Sequence, residues 1–358
     1  MAARVTIQDI ADALGLSRNT VSKAINNTGV IAESTRRDIL QKAAEMGYKQ
    51  FSYFQPDNLT GPFTSIPELA GAVTGEIVFL TTMGLDSSHF GSVMLDKICH
   101  EFSELHCTVS IHLALPQDIA ALRLPKTIDP GKIRGMICAE LLDESYCRML
   151  ASLGIPLLFV DAPLFLHGDQ PDMDILLMDN EQCIFSFIRD MKAQGVTKFG
   201  FVGPYLHCRS FNERYRSYRM ALENLGLPFR EEFCILDELD QALLHDKKLY
   251  FERLRARVRA LPGLPEVFIC ANDFIAIDLM TSCRDFLRVP EDVMLLGFDD
   301  SSESRIVTPA LSSVHIHSQT MGQYAAALLY RRMRQPDVYN VTVHVATDLV
   351  SRASTRRR

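Results

Sequence analysis

The sequence lacks the features of several common classes of protein. No apolar run approaches the length of a membrane-spanning helix, and the first residues contain no secretory apolar core. We therefore expect a cytoplasmic protein that makes no contact with a membrane. No internal repeat or low-complexity tract is present either.

Signatures of catalysis and of metal binding are also missing. Neither the Gly-x-Ser-x-Gly elbow of hydrolases nor the Gly-x-x-x-x-Gly-Lys phosphate loop occurs. The nine cysteines include no Cys-x-x-Cys pair, which argues against a zinc ribbon or a disulfide framework. Cys99-His100 and His106-Cys107 form one suggestive cluster, which we interpret as buried thiols and surface histidines. We expect no catalytic residue, no metal ion and no cofactor.

The formal net charge of −7 is distributed unevenly. Residues 1–50 contain seven Lys or Arg and five Asp or Glu, so this part carries +2 and the remainder carries −9. Positive charge is therefore concentrated where phosphate would be met, whereas an acidic body would not hold DNA non-specifically.

The first fifty residues contain the most informative pattern. An apolar stripe at helical period (Ile7, Ile10, Ala11, Leu14) predicts a short helix that Thr6 caps and Gly15 ends. A second helix, which Ser17 can cap, buries Val21 and Ile25. A third, at about 33–46, is expected to close the small core with Ile39, Leu40, Ala43 and Met46.

The outer face of the second helix suits the DNA major groove. Arg and Lys can pair with guanine, Asn with adenine, and Ser with phosphate. The residues that we predict at the DNA surface are Thr6, Ser17, Arg18, Asn19, Thr20, Ser22, Lys23 and Asn26.

The order T-x-x-D-I-A-x-x-x-G-L-S-x-x-T-V-S-K-x-I-N closely resembles the N-terminal module of the lactose-repressor (LacI/GalR) family of bacterial regulators. Ala32 is one departure from the family pattern, because relatives usually have a hydroxyl residue there that caps the third helix. Ser34 or Thr35 can provide this cap instead. The resemblance implies a sequence-specific transcriptional regulator that acts as a homodimer on a palindromic operator. We expect it to repress transcription. An enzyme and a pure solute-binding protein are the rival interpretations; the missing motifs and the head argue against them.

Beyond Gly75, near-continuous apolar runs alternate with amphipathic helices, which predicts parallel sheets covered on both faces. Segments 270–276, 297–300 and 308–314 resemble the family's body, which is similar to periplasmic sugar-binding proteins. The predicted fold class is thus a small all-α helix-turn-helix head and a two-lobed α/β body of doubly wound parallel sheets. The predicted parts are a head over 1–50, an atypical linker over 51–74 and an effector-binding, dimerising body over 75–358.

The resemblance also implies a small-molecule effector, with a sugar as one candidate, bound between the lobes. The positions that match its contacts are Phe90, Asp161, Arg214, Asn272 and Asp299. Each has a structural alternative: Arg214 could belong to a solvated helix face, and Asn272 and Asp299 could cap helices. Ile316 stands where relatives often carry a polar contact, so either the effector is unlike the common sugars or the pocket has lost its ligand.

The linker departs furthest from the family. Relatives have a helix there that wedges Leu into the minor groove, but this chain has Phe51, Phe54 and Asp57 at the matching positions and Pro56 between them. The aromatic residues could form a different wedge. Alternatively they dock the head onto the body or a partner subunit, which we favour.

Overall fold

The computed structural model describes two compact units, residues 1–69 and 70–358. The described residues are 6–25, 32, 35, 38, 39, 42, 43, 46, 75–82, 89–165, 171–236 and 246–356. The predicted linker over 51–74 lies outside them. None of the helices in these ranges combines the length and apolarity needed to cross a bilayer.

Two short helices of the head are described from end to end, and the isolated described residues 35, 38, 39, 42 and 43 are also helical. Helix α1 spans Ile7–Leu14 and begins with a capping box, in which Thr6 Oγ1 accepts from the amide of Asp9 while the Asp9 carboxylate accepts from the amide of Thr6. Gly15 ends α1 in the left-handed conformation, at φ 66°. Helix α2 spans Arg18–Ile25. The predicted hairpin around a tight glycine turn is therefore confirmed.

The head has its own apolar core. Its fully buried members are Ile10, Ala11, Val21, Ala24, Ile39 and Ala43, with Ile7, Leu14, Leu16 and Met46 packed against them. The predicted burial of Ile39 and Ala43 is confirmed. Leu40, the side chain of Ile25 and most of the predicted third helix lie outside the described residues.

The body alternates strands and helices along the chain. Its strands are β1 (Gly75–Thr81), β2 (Cys107–Leu113), β3 (Ile133–Ala139), β4 (Leu157–Val160), β5 (Asp174–Met178), β6 (Phe199–Val202), β7 (Val267–Cys270), β8 (Met294–Asp299), β9 (Ser312–Ile316), β10 (Thr342–Val345) and β11 (Thr347–Val350). Its helices are α3 (His89–Glu104), α4 (Pro116–Ala120), α5 (Glu144–Ala151), α6 (Gln182–Ala193), α7 (Arg209–Asn224), α8 (Lys247–Arg259), α9 (Asp273–Cys283), α10 (Ser302–Ile306) and α11 (Ser318–Arg334).

The strands form two sheets, one in each lobe. The first has the order β10-β5-β4-β3-β1-β2 and is entirely parallel. The second has the order β11-β9-β8-β7-β6, in which only β11 is antiparallel to its neighbour. The chain passes between the lobes three times, after β5, after β9 and after β10, because α11 packs on α3 in the first lobe whereas α6 packs on α7 in the second.

The predicted parallel sheets are confirmed, with two differences. The sequence analysis did not identify β9, β10, β11 or α11, and it did not foresee an antiparallel edge. Thr342–Val345 and Thr347–Val350 are short edge strands, one in each sheet. They mix polar and apolar residues, so they lack the continuous apolar run of a central parallel strand. Their pairing depends on the neighbouring strands.

Candidate functional sites in the head and between the lobes

Helix α2 has a buried side and an exposed polar side. Val21 and Ala24 face the head core, while Arg18, Asn19 and Lys23 are exposed. Ser17 is also exposed, and Thr20 and Ser22 are half-buried. Asn26 lies outside the described residues.

Several of the hydroxyl groups predicted at this surface also have structural partners. Ser17 Oγ accepts from the amide of Thr20 at 3.0 Å and shares a 2.8 Å hydrogen bond with Thr20 Oγ1, so Ser17 caps α2 as predicted. Thr6 caps α1, and its side-chain and backbone hydrogen bonds lower the pKa of Asp9. Within the described part of the chain, Arg18, Asn19 and Lys23 have no hydrogen-bond or ion-pair partner.

A second group of polar residues lies where the strands of the body end. Glu140 follows β3, Asp161 follows β4 and Asp299 ends β8, and each has a positive φ, of 58°, 60° and 108° respectively. Non-glycine residues rarely adopt this conformation, and it is often found at binding sites. In open α/β sheets, ligands bind beyond these carboxyl ends.

Arg214 lies almost completely buried at this site, with 2% of its surface exposed. Its Nε donates to Asn180 Oδ1 at 2.8 Å, and its Nη1 donates to the carbonyl of Ala271 at 2.7 Å. Nη1 also lies 3.6 Å from Asp299 Oδ1, and the guanidinium lies 3.5 Å from the centre of the Phe298 ring. Arg214 therefore does not belong to a solvated helix face, the alternative left open by the sequence.

Asp161 connects the lobes. Its Oδ1 accepts from the amide of Ala162 at 2.8 Å and, from the second lobe, from the amide of Ser210 at 3.2 Å. The amide of Arg209 donates to the carbonyl of Ala162 at 2.9 Å. The N-terminus of α7 thus has hydrogen-bond acceptors on the opposite lobe.

The other predicted contacts have different surroundings. Asn272 Oδ1 accepts from the amide of Ile275 at 2.9 Å, so Asn272 caps α9. Burial raises the pKa of Asp299 to about 7; Arg214 opposes the rise and the nearby carboxylates add to it. Phe90 lies in α3, and its side chain is outside the described residues. Ile316 is buried in β9.

Glu213, a residue that the sequence analysis did not single out, joins three parts of the body. One carboxylate oxygen accepts from Asn180 Nδ2 at 2.9 Å and lies 3.3 Å from His344 Nε2 in β10, while the other accepts from Arg209 Nε at 3.0 Å. Asn180 in turn accepts from Arg214, so Glu213 fixes the orientation of the Asn180 amide. The only signal in the sequence is that Glu213 precedes Arg214.

Asp273, the first residue of α9, is also buried beside this site. Its carboxylate accepts from Ser313 Oγ at 2.6 Å and from the amide of Ser301 at 2.8 Å. Burial raises its pKa to about 6, although these hydrogen bonds oppose the rise. A Cβ on Gly297 would overlap the Asp273 carboxylate, so glycine is required there by close packing. The structure therefore brings Asp161, Arg214 and Asp299 together and adds Glu140, Asn180, Glu213 and Asp273.

Comparison with known proteins gives consistent matches to both units. Residues 6–50 match the family described as bacterial regulatory proteins, lacI family, and residues 188–355 match a periplasmic binding protein-like domain. The probable HTH-type transcriptional repressor ExuR of Bacillus subtilis (strain 168) is 26% identical over 360 residues, covering 99% of each chain. The HTH-type transcriptional repressor PurR of Mannheimia succiniciproducens is 22% identical over 358 residues, covering 98% of this chain and 99% of that one.

Solved structures share the fold. The transcriptional regulator CelR in complex with cellobiose has a TM-score of 0.65 at 20% identity, covering 98% of this chain and 100% of that one. The Lac repressor dimer bound to operator and the anti-inducer ONPF has a TM-score of 0.61 at 20% identity, covering 99% of each chain. The exposed polar side of α2, the two-lobed body and these full-length relatives agree: the chain joins the head of the lacI family of bacterial regulatory proteins to a periplasmic-binding-protein-like body, and it is a DNA-binding regulator of transcription.

Proposed function

We propose that α2 reads base edges in the major groove, with Arg18, Asn19 and Lys23 as its principal contacts. The observation that carries this proposal is that the three side chains are exposed and have no protein partner in the described part of the chain. Arg and Asn can each form two hydrogen bonds to one base, to guanine and adenine respectively. Thr6, Ser17, Thr20, Ser22 and Asn26 are then proposed as supporting contacts, several of them to phosphate.

Selection of bound duplexes from a random pool tests this function. We expect a palindrome to be enriched, because two heads related by a two-fold axis read two half-sites. The double variant Arg18→Ala with Asn19→Ala should lose that enrichment while the body keeps its thermal unfolding transition. No enrichment over scrambled competitor by the unaltered protein at moderate ionic strength would contradict the proposal.

A homodimer is the expected assembly, and exposed apolar side chains on the body support it. Ile306 in α10 is 80% exposed and Phe274 in α9 is 39% exposed, and these two helices pack together in the second lobe. Ile111 and Leu113 project from β2, at the edge of the first sheet. Apolar groups of this size are commonly covered at protein interfaces.

The site between the lobes is the proposed effector site, with Asp161, Arg214, Asn272 and Asp299 as polar contacts and Phe90 as the apolar contact that the family resemblance implies. Carboxylates and an amide suit a ligand rich in hydroxyl groups, and the solved relatives named above hold cellobiose and ONPF. A rise in melting temperature with one member of a sugar and metabolite panel, which is lost in Asp299→Asn, would support this site. A ligand that raises the melting temperature of both proteins equally binds elsewhere.

We further infer that the protein is not an enzyme and that it acts in the cytoplasm. The family consists of DNA-binding regulators of transcription, which work where the chromosome is. Conversion of any metabolite in that panel by the purified protein would overturn the first inference.

A further inference from the structure

Helix α8 is strongly basic, although the body as a whole is acidic. Its thirteen residues, Lys247–Arg259, include six basic side chains and one acidic side chain, whereas the chain beyond residue 50 carries −9 in total. Leu254 and Val258 are its buried residues. Solubility does not require such a reversal, because the net charge of the protein is already far from zero. We propose that the surface formed by α8 and α9 is a docking site for a carboxylate-rich segment of another protein.

A groove of about 590 Å³ runs between α8 and the C-terminal half of α9. Its basic residues are Lys247, Lys248, Arg255 and Arg284, and Phe251 forms part of its apolar lining. A helix of this length extends about 20 Å, which is long enough to contact several residues of a partner.

Arg255 belongs to the wall of this groove. Its two terminal nitrogens donate to the two carboxylate oxygens of Asp285, each at 2.7 Å, and Nη1 also donates to the carbonyl of Ser282 at 2.6 Å. Its guanidinium lies 5.4 Å from the centre of the Phe286 ring. These contacts use most of its donors, so Arg255 fixes α8 against α9.

Lys248 and Arg284 are the cations that remain available to a partner. Both are exposed, and neither has an ion-pair or hydrogen-bond partner among the described residues. Lys248 lies in the first turn of α8, Arg284 directly follows the end of α9, and both line the groove. An incoming carboxylate can therefore be attracted from both sides of the groove without breaking an internal ion pair.

The composition of the groove favours a protein over a nucleic acid or a small phosphate compound. Glu252 and Asp285 lie among the cations and would repel a continuous phosphate backbone. Phe251 in the groove and Leu249, which is 49% exposed, supply apolar contacts of the kind found in protein interfaces.

Fluorescence anisotropy with the full-length protein tests the proposal. The probe is a fluorescein-labelled peptide of four Glu-Glu-Leu-Glu repeats, and its Gln-Gln-Leu-Gln analogue is the uncharged control. We expect the acidic peptide to bind and the analogue not to bind. The double variant Lys248→Glu with Arg284→Glu should weaken binding about tenfold or more, because it replaces attraction with repulsion.

A matched double variant, Lys126→Glu with Arg134→Glu, makes the same change in net charge at exposed residues of the first lobe. It should leave the dissociation constant of the peptide within about twofold of the unaltered protein. Equal weakening by both double variants, or equal binding of the two peptides, would overturn the proposal. It would also be overturned if a scrambled DNA duplex displaced the peptide and Lys248→Glu with Arg284→Glu abolished the binding of that duplex, because the groove would then be a nucleic-acid site.

Discussion

At the scale of single residues, the role of a polar side chain depends on whether its hydrogen-bonding groups are already used within the protein. Ser17 is occupied as the cap of α2, whereas Arg18 in the next position has no partner in the described part of the chain. Arg214 shows the opposite case, because its Nε and Nη1 are bound to Asn180 and Ala271 before any ligand arrives. An effector would meet a guanidinium that is already fixed in place, which lowers the entropic cost of binding it.

Arg18→Ala should reduce operator affinity by about 1–3 kcal/mol and relax the base preference at one position of each half-site, because it removes a two-bond contact to one base. Gel-shift titrations against single-base variants of the selected operator measure both effects. Arg134→Ala, which truncates an exposed arginine of the body, should leave them unchanged. Unaltered affinity and base preference in Arg18→Ala would reject Arg18 as a reader.

Asp300 is a buried carboxylate that three neighbouring side chains bind. Its side chain is 4% exposed, and it is bound by Arg305, Arg352 and His315. Burial alone would raise its pKa, but the hydrogen bonds from His315 and Arg352 and the nearby positive charges hold the pKa at about 2. A carboxyl whose folded-state pKa is lowered stabilises the protein above its ordinary pKa, and this stabilisation disappears as the pH falls towards about 2.

Asp300→Asn should therefore destabilise the body by roughly 3 kcal/mol near pH 6, since it removes the buried negative charge that Arg305, Arg352 and His315 bind. The difference from the unaltered protein should shrink as the pH falls from about 4 towards 2. Urea unfolding followed by circular dichroism suits this test, because the chain contains no Trp. A difference in unfolding free energy that stays constant over that pH range would refute the lowered pKa of Asp300. Asp337→Asn, at an exposed position, is the control.

At the scale of elements, the short helices of the head depend on their ends. Helix α1 has only eight residues and few interior hydrogen bonds, so the capping box at Thr6 and the left-handed Gly15 contribute much of what defines it. These end signals are local in sequence, which is why the sequence predicts the hairpin so closely. The edge strands of the body have no comparable local signal.

Gly15→Ala should destabilise the head by about 1–2 kcal/mol, because φ is 66° there and a Cβ disfavours this conformation. No atom lies within 4 Å of the added Cβ, so the effect should be one of backbone strain and not of collision. Gly15→Asn should be milder, since asparagine adopts this conformation more readily. Operator affinity and the low-temperature part of the thermal transition measure the loss. Equal effects of alanine and asparagine would contradict the explanation.

At the scale of the whole molecule, the lobes of the body are joined by three chain crossings and by hydrogen bonds that depend on both lobes. Asp161 and Ala162 hold the start of α7 from the opposite lobe, and Glu213 reaches His344 in β10. An effector can change the separation of the lobes only by binding one arrangement more tightly than another. Any ligand that opens this site must therefore compensate for the loss of these contacts.

Ile306→Asp should weaken the dimer by about tenfold or more, because it places a charge where the proposed interface buries an apolar side chain. Sedimentation velocity over a range of concentrations measures the change, and DNA binding should weaken with it. Tyr339→Asp changes another strongly exposed side chain, which is 94% exposed, and is the matched control. An unaltered monomer–dimer equilibrium in Ile306→Asp would remove α10 from the interface.

The sequence by itself determined the two head helices, their caps, the central strands of the body and the resemblance of the head to the lacI family. These features depend on residues that are close in the sequence, such as the stripe of Ile7, Ile10, Ala11 and Leu14 or the apolar run that forms β3. Only the tertiary structure decided that β10 and β11 belong to different sheets, that Arg214 is buried, and that Glu213 joins Asn180 to His344. These features depend on residues that are more than a hundred positions apart or separated by whole elements. No local pattern of polarity encodes such a pairing.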